Sequence, residues 1–310
     1  MKTISALAAV LLAAAVATPA WAESDPHAST AVKAGDAAPA AAHEGHFDYE
    51  RQKWSFGGFW GQYDKAQLQR GFQIYKEVCS NCHALSRVSF RNLVQAGGPE
   101  FPEAAVKELA AKWPNRPIAE PNDDGAIADK KGNLLTRPAL LSDPILGPYR
   151  NDKEAKAAQN GAVPPNLSVI AKARDLHNGG FWLNHIGLMA KDVANGYQEG
   201  GPDYIFNLLM NYEDPPPGFK LGDGLNYNKA FPGNQLAMVP PLSKENFVKY
   251  EDGKGSMEEN AKDVSAFLAW AADPALNQRK AMGWQVMLYL LITCVLLYLG
   301  KKQIWAKVPH

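Results

Sequence analysis

Hydrophobic residues recur at helical spacing in two stretches of the chain, and each stretch follows the signature of a capping box. Asp64 and Gln67 form the first box, and the apolar positions behind it are Leu68, Phe72, Tyr75 and Val78. Ser256 and Glu259 form the second box, and the apolar positions behind it are Val264, Phe267, Leu268 and Ala271. The Asp-Pro dipeptide at 273–274 is expected to end the second stretch. The pattern therefore predicts two helices far apart in the sequence.

Two longer apolar segments lie near the ends of the chain. Residues 4–17 follow Lys2 and precede Ala-Trp-Ala, which predicts a signal peptide cleaved after Ala22 rather than an uncleaved anchor. Residues 282–300 carry no charge and are long enough to cross a bilayer as a helix, which favours a membrane anchor over a buried core helix. Cationic and aromatic residues flank this segment: Arg279, Lys280, Lys301, Lys302, Lys307, Trp284, Tyr289, Tyr298 and Trp305.

Composition divides the rest of the chain. The residues after the signal peptide are rich in Ala, Pro, His and Asp without periodic apolar positions, which is typical of a disordered leader. Its histidines have no usual metal-site spacing. The predicted divisions are a signal peptide at 1–22, a disordered leader at 23–53, a folded body at 54–275, an anchor helix at 276–303 and a cytoplasmic tail at 304–310. Because the leader is exported, the body is expected outside the cytoplasm.

Charge and cysteine content exclude two classes of protein. The 310 residues include 32 basic and 32 acidic groups, so no basic excess exists to neutralise the phosphates of a nucleic acid. Three cysteines are too few for a disulfide-stapled secreted scaffold, and Cys294 lies inside the apolar segment near the C-terminus.

Cys79, Cys82 and His83 form a Cys-x-x-Cys-His pattern directly after the first predicted helix. Cysteines three residues apart place both sulfur atoms on nearly the same side of a helical turn. The adjacent imidazole can then lie over a flat group held by the two sulfurs, which is the arrangement of covalent haem c attachment. A zinc site, a thioredoxin-like redox pair and a chance match are the alternatives. A zinc site would need a second ligand pair and a redox pair a βαβ context, and the sequence offers neither.

A haem that carries electrons needs a sixth iron ligand, and a thioether sulfur raises its potential. Met238 precedes Pro240 and Pro241, which forbid a helix and favour an extended loop that could press a side chain onto a ring. Core packing remains the alternative for Met238. The other six methionines are explained by the signal peptide, by helix packing, by the membrane segment or, for Met257, by the start of an acidic, exposed helix: Met1, Met189, Met210, Met257, Met282 and Met287.

Four stretches, in this order and with this spacing, are similar to the cytochrome c1 family, the c-type haem subunits of the cytochrome bc1 complex. They are RGFQIYKEVCSNCH, NGAVPPNLS, GLNYNKAFPGNQLAMVPP and DVSAFLAWAADP, followed by one terminal membrane helix. The resemblance runs from about residue 54 to the C-terminus and points to a member of the bacterial type.

The resemblance implies one haem c attached through Cys79 and Cys82. It also implies that His83 is the proximal ligand of the iron and Met238 the distal ligand. Three further residues that it places at the haem are Arg174 near a propionate, Tyr204 in the pocket and Pro165 lining the ring. A segment at 175–200 is an insertion that mitochondrial members would lack, and its aromatic residues suggest an ordered loop packed on the body.

The implied fold is mostly α, a class I cytochrome c-like haem domain with long irregular loops, in which the two predicted helices cross beside the haem. The implied function is one-electron transfer from a Rieske iron–sulfur protein to a soluble or tethered cytochrome c, with cytochrome b as a neighbouring subunit. The chain would not be an enzyme by itself. Its expected location is the bacterial inner membrane, as a single-pass protein with the haem domain in the periplasm.

Other readings of a membrane-anchored haem protein remain at this point. One is a cytochrome that serves a periplasmic dehydrogenase or oxidase, and another is a haem peroxidase with an open sixth position. Acidic residues are expected to be either solvated surface or a docking site for a basic cytochrome c. These residues are Glu120, Asp123, Asp124, Glu251, Asp252, Glu258 and Glu259.

Overall fold

The computed structural model describes the greater part of the chain from residue 47 to residue 307. The described residues are 47, 49–114, 117–122, 125–174, 187, 190, 193–194, 196, 198–245, 247–250, 253 and 255–307. The predicted signal peptide, most of the predicted leader, the aromatic residues of the 175–200 segment and four acidic residues at 123, 124, 251 and 252 lie outside them. Predictions about those positions stay predictions.

The described part of the chain is mainly helical. Its α-helices are α1 (Lys65–Glu77), α2 (Glu103–Ala111), α3 (Asp152–Ala158), α4 (Ile170–Ala173), α5 (Gly201–Met210), α6 (Met257–Ala272) and α7 (Leu276–Trp305). Its strands are β1 (Leu85–Ser89), β2 (Ile118–Ala119), β3 (Thr136–Arg137), β4 (Pro144–Ile145), β5 (Asn226–Tyr227) and β6 (Gln235–Leu236). They form three antiparallel pairs, β1 with β4, β2 with β3 and β5 with β6. The predicted mostly α body with long irregular loops is confirmed.

Both predicted helix starts are confirmed by their caps. The Asp64 carboxylate accepts a hydrogen bond from the backbone N–H of Gln67 at 2.7 Å, and α1 begins at the next residue after Asp64. The Ser256 hydroxyl accepts from the backbone N–H of Glu259 at 3.2 Å at the start of α6. The second helix ends at its C-cap Asp273, as the Asp-Pro dipeptide predicts.

Helices α1 and α6 cross at close range in the core. Gly71 permits this approach, because a Cβ atom there would lie 2.1 Å from the carbonyl oxygen of Asp263. The ring of Phe267 lies 5.6 Å from that of Phe72 and 5.9 Å from that of Tyr75, measured between centroids. The crossing therefore uses the apolar positions that the sequence pattern identified, and it places the end of α1 against the centre of α6.

Helix α6 is buried on more than one face, which differs from the expected exposed helix. Its polar residues Asn260, Asp263 and Ser265 are buried together with its apolar ones. Asp263 binds the Arg70 guanidinium with two hydrogen bonds, at 2.7 and 3.1 Å. Met257 packs against the core at the first position of the helix. The expectation was wrong because α1, α4 and α5 all pack on α6, and hydrogen-bond partners satisfy its buried polar side chains.

The folded body begins before Trp54, where the sequence analysis placed its start. The carboxylate of Asp203 on α5 accepts hydrogen bonds from the backbone N–H of Gln52 at 2.9 Å and from the indole N–H of Trp54 at 2.8 Å. The Tyr49 hydroxyl donates to the carbonyl of Ala230 at 3.0 Å. Residues 49–53 thus belong with the body rather than with the leader, because buried groups of α5 provide their backbone with partners.

Helix α7 contacts the body through its first turns and then leaves it. Leu276 is buried, and the apolar residues from 282 onward are exposed. Its 30 residues correspond to a length of about 45 Å. Within the described residues it is the one helix long and apolar enough to cross a membrane, which agrees with the anchor that the sequence predicts.

Candidate functional site

The two cysteines lie on a 3-10 turn directly behind α1. The turn covers Cys79–Asn81, and the carbonyl of Cys79 accepts hydrogen bonds from the backbone N–H groups of Cys82 at 3.1 Å and His83 at 2.8 Å. Residues three apart eclipse one another in such a turn, so the two side chains leave the backbone in similar directions. Both cysteines are free thiols. The turn therefore presents two sulfur atoms next to one imidazole.

His83 has a fixed ring orientation. Its Nδ1 lies 2.8 Å from the carbonyl oxygen of Pro165. Because a carbonyl only accepts, Nδ1 carries the proton in this bond and Nε2 keeps its lone pair. Burial lowers the pKa of His83, and the bond to Pro165 opposes this effect. The imidazole is therefore held neutral with Nε2 ready to bind a metal, the form in which histidine is a ligand.

The chain around Pro165 is fastened to the strand that follows His83. The backbone N–H of Leu167 donates to the carbonyl of Ala84 at 2.9 Å, and the hydroxyl of Ser168 accepts from the backbone N–H of Arg87 at 3.0 Å. Pro165 was expected to line a ring, and its described contact at the site is the carbonyl bond to His83; its own ring is exposed. Sequence reasoning missed this role, because a backbone carbonyl leaves no side-chain signal.

The thiols lie in surroundings that suit attachment better than redox exchange. Cys79 packs against the core, and burial, with a smaller contribution from Cys82, raises its pKa to about 12. A thiol with a raised pKa is a poor nucleophile at neutral pH, whereas redox cysteines have lowered pKa values. The side-chain amide of Gln159 donates to the Cys82 sulfur at 3.5 Å and to the Tyr149 hydroxyl at 2.6 Å. Among the described residues, no cluster of three His, Cys, Asp or Glu side chains is placed to hold a metal ion.

Met238 lies in a loop that follows β6 and is partly buried. The non-helical conformation that its two following prolines predict is confirmed. The hydroxyl of Tyr212 donates to the carbonyl of Met238 at 3.1 Å. Tyr212 in turn forms a β-bridge with Asn228, whose side chain donates to the carbonyl of Leu208 on α5 at 2.8 Å. The loop is thus attached to the end of α5 through a residue that the sequence analysis did not identify.

Tyr204 and Arg174 occupy neighbouring ends of two short helices. Tyr204 is buried on α5, and Arg174 is exposed at the end of α4. Burial raises the pKa of Tyr204, and the positive charge of Arg174 acts against this increase. The two helices touch where Gly201 faces Ala171. The approach is so close that a Cβ atom on Gly201 would lie 1.7 Å from the carbonyl oxygen of Ala171. The structure therefore brings Arg174, Tyr204 and the Met238 loop to the same two helices.

Two of the other methionines have packing roles. Met210 and Met257 pack against the core, as the sequence analysis expected for Met210. Met189 lies outside the described residues. Packing accounts for Met210 and Met257, whereas Met238 lies in a loop whose backbone is held by a tyrosine.

The chemistry of these side chains fits a covalently bound haem. Two adjacent thiols can form thioethers, a neutral histidine offers Nε2 to iron, and a methionine offers a soft sulfur. The hydrogen bond from His83 Nδ1 to a carbonyl is the outer contact that orients a metal-binding imidazole. The residues present therefore match the donor set of a c-type haem.

Comparison with known proteins agrees with this chemistry. Residues 54–308 match the model of the Cytochrome C1 family. Cytochrome c1 of Blastochloris viridis is 45% identical over 258 residues, which cover 83% of this chain and 86% of the relative. Cytochrome c1 of Rhodospirillum rubrum is 37% identical over 288 residues, covering 87% of this chain and 92% of the relative. The cytochrome b/c1 protein of Bradyrhizobium diazoefficiens is 40% identical over 281 residues, which are 90% of this chain and 39% of that longer protein.

Proposed function

The chain belongs to the cytochrome c1 family, and we propose that it is the haem c electron-transfer subunit of a bacterial cytochrome bc1 complex. The observation that carries this proposal is the Cys79–His83 turn with its imidazole oriented by the Pro165 carbonyl. A free thiol pair beside a neutral, oriented histidine suits haem attachment.

The proposed haem ligands are the four side chains that the family resemblance assigns, and the bonds that hold His83 and the Met238 loop support them. Cys79 and Cys82 form the two thioethers, His83 binds through Nε2, and Met238 provides the distal sulfur. Once bound, the haem supplies reversible one-electron chemistry. The thioether of Met238 favours the reduced iron and raises the potential, and the histidine is kept in one tautomer by Pro165.

Three further residues are proposed to surround the haem. Arg174 provides a positive charge for a propionate, because it is exposed at the end of α4 and acts electrostatically on buried Tyr204. Tyr204 provides an apolar wall with a hydroxyl edge. Pro165 contributes its ring to the haem edge in addition to the carbonyl that holds His83.

We propose that the electron arrives from the Rieske iron–sulfur subunit and leaves to a soluble or tethered cytochrome c. The chain neither oxidises quinol nor acts as an enzyme by itself. Cytochrome b is the proposed membrane neighbour, and one relative that carries both names, cytochrome b/c1, supports this assignment. Glu258 and Glu259 are exposed at the start of α6 and provide negative charge for steering a basic acceptor.

Helix α7 is proposed to anchor the protein once in the bacterial inner membrane. The predicted signal peptide exports the chain, so the haem domain lies in the periplasm and the residues after α7 face the cytoplasm. The flanking lysines alone do not determine this orientation, because positive charge lies at both ends of α7.

Purification of the native membrane complex tests the proposed function. The chain is expected to co-purify with cytochrome b and an iron–sulfur subunit, and to carry the added mass of one haem that resists acid-acetone extraction. Co-purification with a periplasmic dehydrogenase instead would overturn the assignment to a bc1 complex. Haem that is freely extracted would overturn covalent attachment through Cys79 and Cys82.

A further inference from the structure

A short glycine-rich turn at residues 57–61 carries two exposed aromatic side chains next to the first turns of α7. We call it the aromatic turn. Phe59 is 51% exposed and Trp60 is 65% exposed. The turn is tight, because a Cβ atom on Gly61 would lie 1.8 Å from the carbonyl oxygen of Gly57. The backbone conformation therefore keeps both rings at the tip of the turn, and none of its five residues is charged.

The side chain of Lys280 on α7 binds backbone carbonyl groups of the aromatic turn and of Phe56 before it. Its ammonium group donates to the carbonyls of Phe56 and Gly58, each at 2.6 Å, and to that of Gly61 at 3.2 Å. One cation therefore takes two carbonyl groups of the turn and that of the residue directly before it. This contact fixes the turn to α7 at the last charged position before the apolar segment.

The ring of Trp60 also contacts α7 directly. It meets the ring of Trp284 edge to face, with 5.6 Å between the centroids. Trp284 lies one turn beyond Lys280 and is itself 45% exposed. Because tryptophan at the end of a membrane helix lies at the level of the lipid headgroups, Trp60 must lie at nearly the same depth. The polar region of each leaflet is roughly 5–8 Å thick, which is comparable to the separation of the two rings.

We propose that the aromatic turn is a second membrane contact, in which Phe59 and Trp60 insert at the boundary between phospholipid headgroups and acyl chains beside α7. This proposal rests on the proposed anchoring by α7. A lipid surface is the partner that fits, because the turn is uncharged, its glycines leave the two rings as its only large side chains, and it continues the exposed surface of a helix whose apolar segment is not buried by the body. With two contacts, the body is held in one orientation above the membrane.

The test measures the depth of a spin label at position 60. The full-length, haem-loaded chain with Trp60→Cys and Cys294→Ser is labelled with a nitroxide and placed in phosphatidylcholine vesicles with the haem reduced. Oxygen, which concentrates in lipid, is expected to relax this label more than a water-soluble nickel chelate does. The same label on Lys131→Cys, also with Cys294→Ser, is the control on the exposed polar surface, and Phe59→Cys provides a second site if the first variant loses its haem.

A label on the native Cys294 separates the inference from the proposed function. If that label is reached by the nickel chelate, the anchor itself is wrong. If the label at Cys294 lies in lipid while the label at position 60 responds to the nickel chelate as strongly as the one at position 131, the proposed insertion of the aromatic turn is wrong. The proposed anchoring by α7 is then retained. The measurement is repeated in the native complex, where protection of position 60 from both reagents would show that a protein subunit covers the aromatic turn and would overturn the lipid assignment.

Discussion

The two proposed iron ligands are held by different kinds of structure. His83 follows the buried helix α1 within the same short segment as the two cysteines, and its ring is oriented by Pro165. Met238 lies in the long connection between α5 and α6, and the bond from Tyr212 to its backbone attaches the loop to the end of α5. The proximal side therefore combines one short local segment with a single long-range bond to Pro165, and the distal side depends on bonds made within the connection between α5 and α6.

This difference predicts how each side of the haem site responds to a substitution. The proximal segment is fixed by backbone bonds of the 3-10 turn, by packing of Cys79 on the core and, once haem is attached, by two covalent bonds. The distal loop has to be closed at the entropic cost of a long connection, and one described tyrosine bond holds the ligand residue itself. We expect damage on the proximal side to remove the cofactor and damage on the distal side to change its properties.

The largest expected effect comes from breaking the proximal side. Cys79→Ser or Cys82→Ser removes one thioether, so haem should be lost or held by a single bond, and the amount of folded protein should fall severalfold because a haem fills the core. Haem staining after denaturing electrophoresis, together with the intact mass, measures this. Cys294→Ser is the matched control, because Cys294 is exposed on α7 and should tolerate the same change. Full haem content in both proximal variants would contradict the attachment.

Breaking the distal side should leave the haem in place and change its potential. Met238→Leu removes the thioether at similar volume, so the fold should survive while the potential falls by on the order of a hundred millivolts or more. The weak ferric sulfur-to-iron band at the red end of the spectrum should disappear. Redox titration and the oxidised spectrum measure both effects.

Met210→Leu and Met257→Leu are the controls for this prediction, because both side chains pack against the core. They should keep the potential and the band. If one of them loses the band while Met238→Leu keeps it, the distal ligand is wrongly assigned, although the attachment through the cysteines would stand.

Local patterns in the sequence predicted part of the site, and long-range bonds could not be predicted. The helix before Cys79 follows from apolar spacing, and the Cys-x-x-Cys-His pattern is a local motif, so both were predictable. The non-helical conformation at Met238 followed from the prolines behind it. The bonds to Pro165 and from Tyr212 were not predictable, because they join residues 82 and 26 positions apart and end on backbone carbonyls, which any residue provides.

The fold shows the same limit. The helix starts at Asp64 and Ser256 were predictable from their caps. The burial of α6 was not, because Asn260 and Asp263 are polar residues that a pattern assigns to the surface. Their burial depends on partners outside α6, such as Arg70 for Asp263 and the backbone of Val248 for Asn260.

A matched pair of tyrosines sharpens the comparison at a smaller scale. Tyr75 donates to the carbonyl of His83 at 3.0 Å, as Tyr212 does to that of Met238 at 3.1 Å. Burial raises the pKa of both phenols, so both remain protonated donors at physiological pH. Replacing either by Phe removes a bond with a net contribution of about 1 kcal/mol. In Tyr212→Phe alone, the sulfur-to-iron band is expected to disappear at a temperature about 2–4 °C below the midpoint of unfolding.

Thermal scans that follow the sulfur-to-iron band and the far-ultraviolet circular dichroism together measure this difference. Tyr75→Phe should lower both midpoints equally, because His83 keeps its bond to Pro165 and its neighbours on the 3-10 turn. Equal behaviour of the two variants would show that Tyr212 is not the contact that holds the distal loop.

The smallest expected effect concerns side chains around the cysteine sulfurs, which are expected to shift the haem potential slightly. Gln159 donates a weak hydrogen bond to the Cys82 sulfur, and Gln159→Leu removes it at similar volume. A donor draws electron density from the sulfur, so its loss should lower the haem potential by on the order of 20 mV, the one-electron equivalent of about 0.5 kcal/mol. Tyr149→Phe is the control, because it removes the second acceptor of the same amide and leaves the donor to sulfur in place. Redox titration of the purified haem-loaded chain should therefore separate the two variants. A shift in Gln159→Leu as large as that in Met238→Leu would contradict the expectation that changes on the distal side have the larger effect on the potential.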